Sequence, residues 1–104
     1  MTQIFLVLTT VAERADAERL ARSMVEQRLA ACAQISAIDS VYRWQGAVQA
    51  EGEFRLLFKT TAERYPALQA ALRAEHPYEL PAIVALPCSA ALAEFGAWVE
   101  EETR

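Results

Sequence analysis

One short segment concentrates most of the groups that could do chemistry. Residues 76–81 read His-Pro-Tyr-Glu-Leu-Pro, which places an imidazole, a phenol and a carboxylate between two prolines. Proline disfavours helical backbone at the residue before it and lacks an N–H donor, so a preceding helix must end by His76. A helix C-terminus favours protonated imidazole, and a loop leaves the ring accessible. The segment predicts an accessible, titratable His76; alternatively, the prolines only shape a turn and His76 caps helix carbonyls.

The two thiols, Cys32 and Cys88, are the other groups that could bind a metal. Residues 1–3 (Met-Thr-Gln) lack the positive charge that starts a signal peptide, which predicts a cytoplasmic protein with reduced thiols. Both cysteines stand beside apolar residues, and a free cysteine is commonly a small buried hydrophobe. A role as a metal ligand stays open for Cys32.

Length and charge narrow the class of protein. The 104 residues suffice for one domain, residues 1–104, with one hydrophobic core. With 14 acidic and 10 scattered basic residues the net charge is -4, so we expect no nucleic-acid binding. No apolar run is long enough to span a membrane. Because the sequence has no glycine-rich phosphate loop and no nucleophile-elbow serine, we also expect no enzymatic activity.

The spacing of apolar residues predicts seven helices and strands around these groups. Continuous or alternating apolar runs predict strands, and apolar residues at helical spacing predict helices. In chain order these are a strand at 4–8, a helix at 17–29, a strand at 32–44, a turn at 45–46, a strand at 54–58, a helix opened by a capping box at 60–63, a strand at 83–86 and a helix at 92–99. The 32–44 run is long for one strand, which predicts a bent strand or a projecting hairpin arm.

This order predicts an α+β, ferredoxin-like βαββαβ sandwich with an extra C-terminal helix. Right-handed crossovers place both main helices on one face of a four-stranded antiparallel sheet. The other face would leave Leu57, Val7 or Tyr42 in water, so we expect the chain to oligomerise. Because the second and fourth strands are opposite edges, Cys32 and Cys88 lie roughly 14 Å apart, too far for a disulfide within one chain. Head-to-tail pairing of these edges predicts a closed ring of three subunits, a homotrimer.

Four motifs of the sequence resemble one known family. They are Leu-Ala-Ala-Cys at 29–32, Ser-Val-Tyr-Arg-Trp-Gln-Gly at 40–46, Lys-Thr-Thr at 59–61, and His-Pro-Tyr-Glu-Leu-Pro at 76–81 followed by Ile-Val-Ala-Leu-Pro at 83–87. In this order and spacing they resemble the CutA family of divalent-cation tolerance proteins, over nearly the whole chain. The resemblance implies a ferredoxin-like subunit, a tightly packed homotrimer and a role in tolerance of copper or other divalent metal ions.

The resemblance also implies a set of metal ligands. Cys32 stands at the thiol of the family's Ala-Ala-Cys segment, and His76 and Glu79 stand in its His-Pro-Tyr motif. Thiolate suits Cu(I), whereas imidazole with carboxylate suits Cu(II) or Zn(II), so copper is the expected ion and no organic cofactor is implied. Because the three ligands are scattered along the chain, geometry across the trimer would have to assemble them. Cys88 departs from the family, which typically has an aliphatic residue there.

A second candidate function rests on fold analogy alone. Ferredoxin-like trimers of the PII kind bind small anionic effectors in clefts between subunits, and this chain offers cationic and aromatic groups for such a cleft. The cations are Arg43, Lys59, Arg64 and His76, and the walls are Tyr65, Tyr78 and Trp44. Alternatively, Lys59 and Arg64 are ordinary surface charges or members of ion pairs. Trp44, at a predicted hairpin tip, is alternatively an anchor that packs between subunits.

Overall fold

Four strands and three helices follow one another in the order that the apolar pattern predicts. The computed structural model describes residues 2–104. Its elements are β1 (Ile4–Val11), α1 (Arg14–Glu26), β2 (Cys32–Trp44), β3 (Ala47–Thr61), α2 (Tyr65–Glu75), β4 (Val84–Pro87) and α3 (Ala93–Glu102). The strands form one antiparallel sheet in the order β2-β3-β1-β4. The predicted α+β, ferredoxin-like arrangement with an added C-terminal helix is confirmed. No helix within residues 2–104 has both the length and the apolar character needed to cross a membrane.

Helices α1 and α2 cover one face of the sheet. Alternate residues of β1 and β3 point to that face and meet the apolar stripe of each helix. The fully buried side chains of this core include Val7, Val11, Leu20, Met24, Leu56, Phe58, Leu68 and Leu72. The prediction that Val7 lies on the uncovered face is therefore wrong. Residues 4–8 are apolar at every position, so their sequence has no alternation from which a face could be assigned.

The start of α2 differs from the capping box predicted at residues 60–63. The Thr60 hydroxyl donates to the Leu29 carbonyl oxygen at 2.7 Å. The Thr61 hydroxyl oxygen accepts from the Arg64 backbone N–H at 3.2 Å, and Arg64 is the N-cap of α2. The first threonine therefore ties β3 to the loop after α1, and only the second one supports the start of the helix.

Helix α3 covers one end of the opposite sheet face. A small apolar cluster forms there from Ile4, Ala31, Val99, Cys88 and Phe95. The Lys59 ammonium lies 5.5 Å from the centre of the Phe95 ring, which is a cation–π contact. Beyond α3 the described part of the chain places no helix on this face, and Val84 and Leu86 of the edge strand β4 are about half exposed. The predicted uncovered face is therefore present, although α3 shortens it.

Strands β2 and β3 continue well past the end of β1. The last rung between β1 and β3 joins Val11 to Phe54. Seven further rungs between β2 and β3, from Ile38↔Glu53 to Trp44↔Ala47, have no third strand beside them among residues 2–104. The tip is a two-residue turn with positive φ at Gln45 and Gly46, the backbone that a tight hairpin turn requires. We call residues 38–53 the arm; it is the projecting hairpin that the long 32–44 run predicted.

Candidate functional site

His76 is buried against the end of β1. Helix α2 ends at Glu75, and His76 follows as its C-cap in extended backbone. Only 9% of the His76 side chain is exposed. Its Nε2 atom lies 3.0 Å from the Thr10 carbonyl oxygen and 3.0 Å from the Thr9 hydroxyl, while Nδ1 accepts from the Tyr78 backbone N–H at 3.1 Å. Because a carbonyl oxygen can only accept, Nε2 carries the proton, and the neutral ring uses both nitrogens.

The electrostatic surroundings of His76 keep its ring neutral. Burial lowers the pKa of His76 below its ordinary value and is the largest effect. The Thr10 carbonyl and the Asp16 carboxylate oppose this shift in part, and Arg19 and Arg73 add smaller lowering effects. The prediction of an accessible imidazole whose protonation the helix favours is therefore wrong. The helix does end where the prolines require, but the turn folds the ring inward under β1 instead of out into water.

The Tyr78 phenol reaches Glu53, in the rung of the arm nearest to β1. Its hydroxyl donates to the Glu53 carboxylate at 2.6 Å, and Glu53 is only 7% exposed. Burial and the Glu53 carboxylate raise the pKa of Tyr78 above its usual range, so the phenol keeps its proton and remains a donor. The Tyr78 ring also lies against the His76 ring, with their centres 5.0 Å apart. Residues 76–78 therefore bring an imidazole, a phenol and a buried carboxylate together.

A second phenol–carboxylate pair lies farther out on the arm. The Tyr42 hydroxyl donates to the Glu51 carboxylate, which raises the pKa of Tyr42 to about 12. Both residues are exposed. The sequence pattern did not point to either carboxylate. Its only signal is two acidic residues two positions apart in a strand, Glu51 and Glu53, which places both on one face but predicts neither burial nor a phenol partner.

The three candidate metal ligands are apart from one another in a single chain. Cys32, the half-buried first residue of β2, pairs with Lys59 on the sheet face that α3 covers. His76 contacts Thr9 of β1 on the opposite, helix-covered face. Thr9 lies two strands away from Cys32 and three residues farther along the strand direction, which separates the two residues by roughly 14 Å within the plane of the sheet. Glu79 is exposed. Within residues 2–104 no three His, Cys, Asp or Glu side chains lie close enough to hold one ion.

The predicted cleft residues also occupy separate places in one chain. Arg43 and Trp44 are exposed at the tip of the arm. Lys59 lies under α3, near the far end of the sheet from Tyr78. Arg64 donates to the Arg28 carbonyl oxygen at 3.3 Å, and its buried Nε has no hydrogen-bond acceptor among residues 2–104.

Tyr65 packs against Phe5 of its own subunit. Its ring centre lies 5.8 Å from that of Phe5, and its hydroxyl donates to Gln69 at 2.7 Å. Cys88 has a similar structural setting near the same end of the sheet, on the face that α3 covers. Its backbone N–H donates to the Ile4 carbonyl oxygen at 2.9 Å, and its own carbonyl oxygen accepts from the Gln3 amide at 2.7 Å. Cys88 is half buried against the cluster of Ile4, Ala31 and Val99.

Comparison with known proteins finds the same sequence family and the same fold. The sequence profile described as CutA1 divalent ion tolerance protein matches residues 5–102. The divalent-cation tolerance protein CutA of Thermus thermophilus is 43% identical over 99 residues, which are 94% of this chain and 96% of that protein. Protein CutA of Homo sapiens is 38% identical over 88 residues, 84% of this chain and 49% of that protein. The structure of CutA from Synechococcus elongatus matches with a TM-score of 0.95 at 40% identity, covering 100% of this chain and 93% of that one.

Proposed function

This chain belongs to the CutA1 divalent ion tolerance family, and on that premise we propose that it serves copper tolerance as a homotrimer that binds the ion between subunits. The observation that carries the divalent-cation role is the match to the family over residues 5–102, together with relatives that bear this name in bacteria and archaea. Copper is proposed because thiolate, imidazole and carboxylate together suit its two oxidation states. The ion is cargo in this proposal, and no catalytic step is assigned to the chain.

The proposed trimer rests on surfaces that one subunit leaves without a partner. The arm exposes apolar side chains, with Val41 73% and Val48 62% exposed. A two-stranded ribbon alone is marginally stable in water, so the arm needs a surface to pack on. The edge strands β2 and β4 also have unpaired backbone groups, which head-to-tail pairing between copies satisfies. Such pairing is heterologous and must close, and three copies are the proposed ring.

The proposed ligands are Cys32, His76 and Glu79, supplied by neighbouring subunits. Cys32 and Glu79 are the more available of the three, because Cys32 is half buried and Glu79 is exposed. His76 costs more to recruit, since its Nδ1 atom must first release the Tyr78 backbone N–H. This order of availability favours a Cu(I) site built on Cys32 over a Cu(II) site built on His76.

A competition titration tests the copper proposal. Purified protein is titrated with Cu(I) and with Cu(II) against chelators of known affinity, as the native chain, Cys32→Ser, Glu79→Gln and His76→Gln. Cys88→Ser is the matched thiol control, since Cys88 is equally half buried. We expect Cu(I) bound at a fixed stoichiometry per subunit and lost in Cys32→Ser, with Cys88→Ser unchanged. Weak binding that none of the variants alters would contradict direct copper handling.

The alternative function is a PII-like module that binds a small anionic effector between subunits. One observation favours it: the buried Arg64 Nε lacks an acceptor among residues 2–104, and guanidinium groups bind phosphate and carboxylate. The proposed cleft residues remain Arg43, Trp44, Lys59, Arg64, Tyr65 and Tyr78. Calorimetric titration with nucleoside triphosphates and with dicarboxylates, on the native chain and Arg64→Gln, tests this alternative. Absence of heat at millimolar ligand would exclude those two ligand classes.

The cytoplasm remains the proposed compartment. Cys32 and Cys88 are free thiols in the structure, and free thiols persist in a reducing compartment. Relatives named for the chloroplast and a solved relative named as periplasmic show that other compartments occur in the family. Fractionation of cells that express the chain with its native N-terminus, followed by immunoblotting, distinguishes these compartments.

A further inference from the structure

Glu53 is a buried charge in an unusual place. It occupies the first rung of the arm, one residue beyond the last rung that β1 supports. The residue is buried, with 7% of its surface exposed. Within residues 2–104 no lysine or arginine forms an ion pair with it. Its one side-chain donor there is the Tyr78 hydroxyl, at 2.6 Å.

A buried carboxylate with a single donor depends strongly on that donor. Removing a charge from water is costly unless hydrogen bonds replace the lost solvation. The 2.6 Å distance is that of a charge-assisted O–H···O bond, about twice as strong as a neutral one. The arm can therefore keep Glu53 buried only while Tyr78 stays in place, and any other arm direction would expose the carboxylate or leave it unbonded.

Tyr78 is itself fixed to the helix-covered part of the subunit. Its backbone N–H donates to His76 Nδ1 at 3.1 Å, and His76 Nε2 donates to the Thr10 carbonyl oxygen at 3.0 Å. Thr10 lies one residue before the end of β1. A continuous chain of hydrogen bonds thus runs from β1 through residues 76–78 to the base of the arm, where the backbone of β1 no longer supports it.

We propose that Tyr78 is a positioning residue that sets the direction of the arm, and that docking of the arm on a second copy of this chain depends on it. The docking half rests on the trimer proposed above; the positioning half concerns one subunit alone. The partner is a second copy because the arm exposes valines and a tryptophan along a ribbon that lacks cover. A ribbon whose direction is already fixed loses less conformational entropy on docking than a mobile one.

The arm carries its own control. Tyr42 donates to Glu51 through the same pair of chemical groups, but both residues are exposed and both lie within the arm. Tyr42→Phe therefore removes a phenol–carboxylate hydrogen bond but leaves no buried carboxylate without a donor. Tyr78→Phe removes the same hydroxyl from the buried pair and keeps the ring against His76.

Hydrogen exchange followed by mass spectrometry tests the positioning half. In Tyr78→Phe we expect amides of residues 38–53 to exchange about tenfold faster, the change that roughly 1.4 kcal/mol produces. Amides of β1 and α1 should be unchanged, and Tyr42→Phe should match the native chain. Adding Glu53→Gln to Tyr78→Phe should slow the exchange again, because an amide is cheaper to leave unbonded than a carboxylate. Faster exchange spread evenly over the subunit, or no change in the arm, would overturn the proposal.

Sedimentation across a dilution series tests the docking half. Tyr78→Phe should dissociate at a protein concentration at least severalfold above that of the native chain, and Tyr42→Phe at the native value. If Tyr78→Phe loosens the arm yet assembles like the native chain, the docking half is wrong. If the native chain itself is monomeric throughout, the proposed trimer and the docking half both fail, and the exchange experiment still decides whether Tyr78 positions the arm.

Discussion

The β2–β3 ladder passes through two environments with different sources of stability. From Cys32↔Lys59 to Ala37↔Phe54 it lies beside β1 with helices packed on it, and Phe58 is fully buried there. From Ile38↔Glu53 outward none of the described strands lies beside the same ladder, and Trp44 at its tip is 39% exposed. Backbone pairing is continuous across the boundary, so hydrogen bonds do not explain the difference. Side-chain burial does: the inner half is stabilised by side chains buried within its own chain, whereas most side chains of the arm are exposed.

The largest expected effect is in the inner half of the ladder. Phe58→Ala removes a fully buried ring and should lower the free energy of unfolding of the subunit by about 3–5 kcal/mol. Chemical denaturation followed by circular dichroism measures this change. We expect the same loss at high and low protein concentration, because Phe58 contacts only its own subunit core. A loss that appears only on dilution would contradict the contrast between the two halves.

The next largest effect is expected at the tip of the arm. Trp44→Ala should weaken the proposed trimer by about 2–4 kcal/mol, the range of a buried aromatic anchor at an interface. Here the effect should depend on protein concentration, and circular dichroism of the assembled protein should be unchanged. Mass determination by light scattering on dilution measures it. Unchanged mass and melting behaviour at dilute concentration would show that the arm docks without Trp44.

A smaller effect is expected from acidification, at the chain of hydrogen bonds that joins the two halves. Burial lowers the pKa of His76 in the folded protein, so the unfolded chain binds the proton first as the pH falls through about 6.5. Stability should therefore be full above that pH and decrease as the pH falls toward the lowered value. Melting temperatures from pH 7.5 to 5, with chelator present to remove metal ions, measure this dependence. His76→Gln should show a smaller decrease, and an equal decrease in both would assign it to other groups.

The smallest effect is expected at Cys88, in the part of the sheet that α3 covers. Cys88→Ala should cost about 1 kcal/mol or less, because the thiol is only half buried and its polar contacts are made by the backbone. Copper affinity should not change. Thermal melting and the competition titration measure the two quantities. A clear loss of copper binding would show that this chain has a metal site of its own on the covered side.

The order of elements could be predicted from the sequence because it depends on local patterns. Helical spacing marked α1 and α2, alternation marked β3, and the length of the 32–44 run indicated the arm. The sheet face on which a residue lies is harder to predict where every residue of a strand is apolar. Val7 was assigned to the wrong face because its neighbours are all apolar, and the capping box failed because the Thr60 hydroxyl bonds instead to Leu29, distant in sequence.

The candidate site was predicted only in its residue types. The prolines correctly placed the end of α2 before His76, since their effect on the backbone is local. Burial of the ring, its neutral tautomer and the Tyr78–Glu53 bond depend on contacts between residues 25 to 67 positions apart. Sequence spacing has no information about such contacts. The proposed ligands Cys32, His76 and Glu79 stay a prediction for the same reason, because bringing them together requires a second chain.

The positive-φ turn at Gln45 and Gly46 has a consequence for the order of folding. It closes the ladder between β2 and β3, whose strands are neighbours in sequence, whereas β1 must wait for residues some 50 positions later. Local contacts form earlier than distant ones because they close smaller loops. The hairpin should thus form first, with its apolar side chains exposed before any helix or second subunit is available. The risk of aggregation during synthesis at high concentration therefore depends on how long the apolar side chains of this hairpin stay exposed.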